Sequence, residues 1–180
     1  AEEEVEENGT PFFPNKPVEL RENFAETAFF YPALVTDEAG DVAFSFTMPE
    51  SNTTWKLQLL AQTEDLKYGY LSREIITSKP LMVTPNLPRF LRQGDEVTIT
   101  AQISNQSSAT MDGRASLELF DPGNGQPVIC LTKSQKPFTL GVDSTTTVNW
   151  SFKVPASSDG VIGCRIIADS DKGSDGEQHL

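Results

Sequence analysis

The sequence predicts an all-β protein built from two tandem antiparallel β-sandwiches, the first of them incomplete. Apolar and polar residues alternate with a period of two along most of the chain, and helical periodicity is almost absent. Turn-forming residues interrupt this alternation at short intervals. Such spacing is typical of sandwiches and barrels, and it differs from units in which helices connect parallel strands.

The alternation is clearest in four segments, each with one apolar face and one face rich in threonine and serine. This pattern is expected of an antiparallel sheet with one solvated side. It predicts that Trp55 and Trp150 are core residues, with stacking on a ligand as the less favoured alternative. The apolar positions are Val42, Phe44 and Phe46; Trp55, Leu57, Leu59 and Ala61; Val97, Ile99, Ala101 and Ile103; and Val148, Trp150, Phe152 and Val154.

Turn residues place a boundary near residues 78–80. Seven strands after it would make a full sandwich of immunoglobulin-like type, whereas four strands before it are too few. We expect turns at 37–41, 93–95, 121–125 and 157–160. We expect strands at about 28–35, 42–48, 54–63 and 68–77, and then at about 81–85, 88–91, 96–104, 113–120, 127–132, 144–154 and 160–168.

Four parts follow from this division. Residues 1–17 form an acidic, proline-rich and extended lead-in, and residues 18–78 form a partial sandwich. Residues 79–170 form a complete sandwich. Residues 171–180 are polar, and we expect them to be a frayed C-terminal linker.

Composition limits the classes of partner. A hydrophobic fraction of 37% in 180 residues is typical of a globular protein and excludes a disordered one. The formal net charge is −12, and five of the acids lie in the first seven residues. A chain of this sign repels phosphate groups, which argues against a nucleic-acid or anionic-lipid partner. Solubility is the simplest interpretation of the acidity.

No run of residues approaches the roughly 18–20 apolar positions that a membrane span needs. The sequence contains no basic stretch followed by an apolar one, so it shows no secretion signal. Because the chain begins at Ala1 without Met, we expect it to be part of a longer protein with its targeting signal upstream. Any contact with a membrane would then depend on an upstream anchor.

The residue types needed for catalysis are scarce. The single histidine, His179, lies two residues from the end, so catalytic triads and multi-histidine metal sites cannot be assembled in the body of the chain. Carboxylate pairs are formally available, but the acids cluster in turns. A calcium loop at 121–124 lacks the required ligand spacing, which favours a hairpin turn. We therefore expect no enzyme activity, no catalytic, cofactor-binding or metal site, and no cofactor.

Cysteines and glycosylation sequons leave alternatives open. Cys130 and Cys164 could form a bridge or remain free, and the phase of Cys164 with Ile162 and Ile166 indicates a buried position. Sequons occur at Asn8, Asn52, Asn105 and Asn149, where the strand phase predicts solvent-facing asparagines. Threonine and serine are abundant in such sheets, so chance accounts for these sequons best.

Several motifs, in order, resemble the alpha-2-macroglobulin family, with a bacterial member expected. Residues 21–32 resemble its R-x-x-F-x-E-T pattern followed by an aromatic residue, and 49–55 resemble its P-D/E-S-x-T-x-W turn. Residues 61–69 resemble its A-x-S/T-x-D-x-x-x-G stretch. Residues 79–83 and 88–95 resemble the opening of the next macroglobulin domain. Together these motifs cover about 21–105.

The resemblance implies two macroglobulin-type sandwiches, the first one split by an insertion that holds a protease-cleaved bait. It further implies an extracytoplasmic scaffold of an endopeptidase inhibitor that traps proteases by conformational change, with proteases as partners of the full-length protein. Lipid anchoring stays open. The missing strands would leave an apolar surface uncovered, so we expect self-association through the first sandwich.

The reactive thioester of the family resembles C-G-E-Q, whereas Asp175 precedes Gly176, Glu177 and Gln178 here. Without the cysteine sulfur no thioester can form at this place, and the tripeptide is interpreted as linker. The alternative to a protease-trapping protein is a pair of adhesion or carbohydrate-binding modules on a similar fold, because fold alone does not fix function. The ordered motifs favour the first hypothesis.

Overall fold

A computed structural model describes residues 18–155 and 160–180. All the regular structure in these residues is β, which confirms the predicted class, and none of it is a helix that could cross a membrane. The eleven strands of the described residues are β1 (Leu20–Arg21), β2 (Thr54–Gln62), β3 (Tyr68–Ile76), β4 (Leu81–Asn86), β5 (Glu96–Asn105), β6 (Met111–Phe120), β7 (Pro127–Ile129), β8 (Gln135–Leu140), β9 (Thr145–Lys153), β10 (Gly163–Ser170) and β11 (Gly173–His179).

Two sheets form a sandwich in the second part of the chain. The large sheet has the order β1-β11-β10-β6-β7, with β8 also paired to β6, and the small sheet has the order β4-β5-β9. Neighbouring strands are antiparallel except for β1, which runs parallel to β11. The first and last strands of the described chain are therefore neighbours.

The core lies between these two sheets and follows from the alternation in the sequence. Ile99, Ala101 and Ile103 point inward from β5, and Trp150 is only 2% exposed on β9. The Trp150 indole N–H donates a hydrogen bond to the Ser134 carbonyl at 2.6 Å, so its one polar atom is satisfied inside the core. The predicted core role of Trp150 is confirmed. The same prediction is wrong for Trp55, which is half-buried on β2 and lies outside the core cluster.

The first part of the chain has fewer strands than predicted. Besides the two-residue β1, which joins the large sheet, the described residues of this part form only the hairpin of β2 and β3, and the strands expected at 28–35 and 42–48 are wrong. Those segments contribute an aromatic cluster in which the ring centroid of Phe29 lies 4.3 Å from that of Phe46 and 5.2 Å from that of Phe44. Alternation identified the packing residues, but neither segment pairs with a strand in the described structure.

Predicted turns in the described residues form as expected. At 37–41 the Asp37 amide donates to the Asp41 carbonyl at 2.8 Å. Gly94 and Gly125 have φ values of +82° and +70°, which glycine adopts without steric cost. The turn expected at 157–160 and the lead-in at 1–17 lie largely or wholly outside the described residues.

Three other expectations in the second part are corrected. Residues 88–91 form no strand, and β8 was missed because Pro137 interrupts its apolar pattern. The linker and frayed end expected at 171–180 are wrong, because Gly173–His179 forms β11 inside the large sheet. That strand has no large apolar side chain, so hydrophobic periodicity could not detect it.

The structure shows whether the two cysteines pair and which of the sequon asparagines in the described residues face solvent. Cys130 is exposed and Cys164 is buried, they are unpaired, and burial raises the pKa of the Cys164 thiol to about 12. The expectation that Asn105 faces solvent is wrong: it is fully buried, and its amide donates to the Ala109 and Gly141 carbonyls at 2.7 and 2.8 Å. Asn149 is exposed, Asn52 is half-buried, and Asn8 lies outside the described residues.

Replacing Trp150 with alanine should lower the free energy of unfolding by about 3–5 kcal/mol, because it removes a fully buried ring and leaves a cavity. Trp55 provides the control, since it is half-buried on the hairpin and packs outside the sandwich core. We expect Trp55→Ala to cost about half as much or less. Urea titration followed by circular dichroism measures both, and equal losses would contradict this assignment of the core.

Candidate functional site

A buried ion pair joins the beginning of the described chain to its end. Arg21 of β1 is 5% exposed and Asp175 of β11 is 0% exposed. Arg21 binds the carboxylate with two nitrogens, Nη2 to Oδ2 at 2.6 Å and Nε to Oδ1 at 2.9 Å. Glu177 adds a second carboxylate, with its Oε1 2.7 Å from the Arg21 Nη2. Such two-pronged pairing is the strongest form of arginine–carboxylate contact.

The same pair also binds the backbone of the opposite sheet. β4 is an outer strand of the small sheet in the described structure, so one edge of its backbone needs other partners. The Val83 amide donates to Asp175 Oδ2, and Arg21 Nη2 donates to the Val83 carbonyl, both at 2.9 Å. Arg21 and Asp175 therefore connect the two sheets and cover the backbone edge of β4.

Two further basic groups complete the site. Lys79 Nζ lies 3.0 Å from Asp175 Oδ1, and His179 Nε2 lies 3.0 Å from Glu177 Oε2. We call Arg21, Lys79, Asp175, Glu177 and His179 the Arg21 cluster. The His179 ring also stacks on Phe24, with centroids 4.9 Å apart and planes 5° apart, which ties the segment after β1 to β11.

The electrostatics of the cluster keep Arg21 charged. Burial acts to lower the pKa of Arg21, but hydrogen bonds and attraction from Asp175 and then Glu177 outweigh it and raise that pKa. Removing one partner from a buried pair of this kind typically costs about 3–5 kcal/mol, because a charge is left without compensation. The cluster is thus a strong constraint on the arrangement of its strands.

The strand β11 positions its polar residues through simple alternation. Asp175, Glu177 and His179 are two residues apart, so their side chains share one face of the strand. Gly176 lies between them, opposite Leu20 in the parallel ladder. A Cβ at Gly176 would lie 2.7 Å from the Leu20 Cδ2, so the glycine provides the space in which Leu20 packs.

Glu50 holds the segment after β1 from the other side. Its Oε2 accepts hydrogen bonds from the backbone amides of Glu22 and Asn23, each at 2.8 Å, and its own amide donates to the Asn23 carbonyl at 2.8 Å. The hydrogen bonds from Asn23 and then Glu22 lower the pKa of the Glu50 carboxyl. Residues 21–24 are therefore fixed between Glu50 and β11.

No site residues were predicted from the sequence. Arg21 appeared there only within a motif, and Asp175 and Glu177 were assigned to a linker, an interpretation that the buried strand β11 corrects. A signal was available, since acidic residues and a histidine alternate at 175, 177 and 179. The described residues contain no group of three or more histidine, cysteine, aspartate or glutamate side chains arranged to hold a metal ion.

Other motifs noted in the sequence also have structural roles. The turn between β2 and β3 is closed by the Thr63 amide, which donates to the Lys67 carbonyl at 2.9 Å, and the Thr63 hydroxyl contacts Asp65. The Trp55 indole donates to the Thr77 hydroxyl at 3.0 Å, which fastens the start of the hairpin to its end. These contacts explain the residue types by local geometry.

Comparisons with known proteins identify the family of this chain. A family model described as "Alpha-2-macroglobulin family" matches residues 27–117, which is half of the chain. The chain belongs to the alpha-2-macroglobulin family. The alpha-2-macroglobulin of Thermotoga maritima is 29% identical over 147 residues, 82% of this chain. A homologue from Nostoc sp. is 29% identical over 90 residues, 50% of this chain. The chain spans only 9% and 5% of these two relatives.

Solved structures confirm the fold. Escherichia coli alpha-2-macroglobulin activated by porcine elastase matches with a TM-score of 0.65 at 15% identity, over 88% of this chain and 15% of that one. Salmonella alpha-2-macroglobulin reacted with methylamine matches with a TM-score of 0.59 at 16% identity, over 80% of this chain and 9% of that one. These neighbours support immunoglobulin-like macroglobulin sandwiches.

The structure shows where the macroglobulin motifs meet. The R-x-x-F-x-E-T pattern supplies Arg21 and Phe24, and the P-D/E-S turn supplies Glu50. Arg21 Nη1 also donates to the Glu50 carbonyl at 3.4 Å. Two motifs that are separate in the sequence of this chain therefore converge on the Arg21 cluster.

Replacing Glu50 with glutamine tests the hydrogen bonds between Glu50 and the segment after β1. Hydrogen bonds hold the Glu50 pKa below its ordinary value of 4.5, so the charged form stabilises the fold above that pH, and the contribution is lost as the pH falls through the lowered pKa. We expect Glu50→Gln to lower the free energy of unfolding by about 1 kcal/mol at neutral pH, because the site is partly solvated.

The difference in the free energy of unfolding between the wild-type protein and Glu50→Gln should shrink toward zero in acid, because wild-type Glu50 is then also uncharged. Denaturant titrations from about pH 7 to about pH 3 measure it. The exposed turn residue Glu38, changed to glutamine, is the matched control and should show no such dependence. A difference for Glu50→Gln that stays constant across this range would contradict the role given to its charge.

Proposed function

We propose that this chain is a non-catalytic scaffold segment of an alpha-2-macroglobulin-like endopeptidase inhibitor. The full-length protein would trap proteases by a conformational change after cleavage of a bait segment elsewhere. Family membership supports the general class. The observation that supports a scaffold role is the Arg21 cluster, which fastens the segment after the lead-in into the sandwich with buried charges.

A trap of this kind needs rigid parts that transmit a movement. Side-chain networks with fully satisfied polar atoms hold one geometry, because any displacement leaves a charge or a backbone group unpaired in a buried place. The Arg21 cluster meets this requirement at the boundary between the two parts of the chain, since it includes Lys79 and contacts Val83.

We propose the following domain arrangement. Residues 18–78 are the later part of a macroglobulin-like sandwich whose other strands belong to the longer protein, and the hairpin β2–β3 is what remains of its sheets. Residues from 79 onward form a complete sandwich that extends beyond the expected end at 170 to include β11. Residues 1–17 would lead in from the bait-containing insertion.

We also propose an extracytoplasmic location for the full-length protein, in the periplasm, in the cell envelope or outside the cell. Trapping foreign proteases would be useful there, and proteases would be its partners. An upstream anchor, such as a lipid, would be the means of membrane attachment.

A comparison of the full-length protein with the isolated chain tests this function. Each is incubated with a broad-specificity endopeptidase, and hydrolysis of a large protein substrate and of a small chromogenic peptide is followed. The full-length protein should block cleavage of the protein substrate and spare that of the peptide, because a trapped protease remains active toward small molecules. The isolated chain should block neither. Loss of peptide hydrolysis, or inhibition by the isolated chain, would contradict the proposal.

Self-association of the isolated chain is a separate prediction. Both outer edges of the hairpin β2–β3 are unpaired in the described structure, and on the face of Leu59 the side chains of Leu71 and Ile75 are 40% and 37% exposed. Exposed strand edges beside apolar side chains pair with other chains. We expect sedimentation velocity to show concentration-dependent dimers, and Leu59→Lys on the apolar face to weaken them about tenfold. Gln58→Lys, on the opposite face, is the control, and a monomer at all concentrations would contradict the prediction.

A further inference from the structure

The turn between β6 and β7 contains a chemically labile pair of residues, Asn124 and Gly125. Asparagine is a thermolabile residue, because the backbone nitrogen of the next residue can attack its side-chain carbonyl carbon. A glycine in the next position favours this attack, since it has no side chain to hinder the nitrogen or to restrict the backbone. Both residues are exposed, so water reaches the turn. Sequence and exposure together therefore mark Asn124 for spontaneous deamidation.

Deamidation at this pair consists of two balanced steps. The Gly125 nitrogen loses its proton to water or hydroxide and forms a bond to the Asn124 Cγ. The bond from Cγ to Nδ2 then breaks, and Nδ2 takes up a proton and leaves as ammonia, so that a five-membered succinimide ring remains. One water molecule opens this ring at either carbonyl and yields aspartate or isoaspartate. Water is the only co-reactant, and no electrons are transferred to or from the protein.

In the folded turn, Asp121 holds both of the nitrogens that take part in this reaction. Its backbone carbonyl accepts a hydrogen bond from the Gly125 amide at 2.7 Å, and its Oδ2 accepts one from the Asn124 Nδ2 at 2.8 Å. The Asn124 Oδ1 also accepts a hydrogen bond from the Gln126 amide at 2.8 Å, so the side-chain amide is fixed at both ends. Deprotonating the Gly125 nitrogen and turning the Asn124 amide toward it each require breaking one of these hydrogen bonds.

The Asp121 side chain is itself fixed, and its charge opposes the reaction. Its Oδ1 accepts a hydrogen bond from the Gly123 amide at 2.7 Å, and the Asp121 amide donates to the Gln126 carbonyl at 2.9 Å. Ring closure passes through a negatively charged intermediate. A carboxylate oxygen within hydrogen-bond distance of the Asn124 amide raises the energy of that intermediate, because the two negative charges repel.

We propose that Asn124 is a deamidation site and that Asp121 keeps it unreacted while the turn is folded. Reaction at Asn124 is then confined to moments when the turn opens. Its rate follows the population of the open form, as it does for other reactions of transiently exposed groups.

The products cannot rebuild the closed turn. A carboxylate at position 124 has no N–H to donate to the Asp121 Oδ2 and repels it instead. Isoaspartate also lengthens the main chain by one carbon between β6 and β7. The ladder of these strands has only two residue pairs, Leu119 with Ile129 and Phe120 with Pro127, so it has little capacity to absorb the change. Deamidation therefore converts a brief opening of the turn into a permanent loosening of β7.

Peptide mass spectrometry of the ageing chain tests the proposal. The folded wild-type protein and the same protein unfolded in urea are incubated at one pH and temperature, and aspartate and isoaspartate at position 124 are quantified over time. The folded protein should react about tenfold more slowly or less, because hydrogen bonds to a charged group must break first. Asn8 also precedes a glycine, so the products are assigned to separate peptides. Equal rates in the folded and unfolded protein would overturn the proposal.

Two variants remove the protection to different extents. Asp121→Ala removes both side-chain acceptors, whereas Asp121→Asn removes the charge and keeps one oxygen for the Gly123 amide. The amide introduced at position 121 cannot cyclise, because the nitrogen of Pro122 has no proton. In the folded state each variant should speed deamidation at position 124 by about fivefold or more, with the rate in urea unchanged. Asp121→Asn keeps the test decisive if Asp121→Ala does not fold.

Asp37→Asn is the matched control. The Asp37 Oδ1 accepts hydrogen bonds from the Ala39 and Asp41 amides, both at 2.9 Å, so this aspartate closes a different exposed turn in the same way. The control should leave the rate at position 124 unchanged. No acceleration by Asp121→Asn, or equal acceleration by Asp37→Asn, would show that Asp121 does not protect Asn124. The reaction concerns one turn of this chain, so such a result would leave the protease-trapping proposal standing.

Discussion

The edge of the sandwich formed by β4 and β11 depends on one contact, the ion pair between Arg21 and Asp175. Moving both charges out of water is costly, and their attraction compensates for it only when the surrounding polar atoms are also satisfied. Here the Val83 amide and carbonyl, Glu177 and Lys79 provide those partners. The pair thereby joins β1, β4 and β11 through polar contacts.

The strand β11 shows how a polar sequence can lie inside a sheet. Its neighbour β10 contributes Ile166 and Ala168 to the core, and β11 pairs with β10 along its whole length. In β11, the hydrogen bonds to β10 and the ionic contacts of Asp175 and Glu177 replace the apolar contacts that hold other strands in place. A buried ionic network is a poor source of net stability, but it selects one register and one partner, which suits a junction between parts of a larger protein.

Sequence patterns predicted most of the strands that bury apolar side chains, except β8, whose pattern Pro137 interrupts, and they failed for β11, whose buried side chains are charged. The alternation through Ile99 and Trp150 identified β5 and β9, because their inward positions are apolar and their outward positions are threonine and serine. Asp175 and Glu177 were interpreted as linker because acidic residues are normally exposed. Asp175 is buried because it pairs with Arg21, which lies 154 residues away in the sequence, and local sequence patterns do not show such a partner. Phe29 and Phe44 pack against each other although neither lies in a strand. Alternation with a period of two cannot distinguish such packed segments from paired strands.

The parallel pairing of β1 with β11 fixes the direction in which a mechanical force would act. Chain arriving at Leu20 and chain departing after His179 lie at opposite ends of the paired strands. Tension between them would slide one strand along the other, so the ladder and the guanidinium–carboxylate contact would resist together in shear. An antiparallel pair pulled from one end would instead unzip bond by bond at lower force. This topology therefore makes the junction stiff to stretching along the chain.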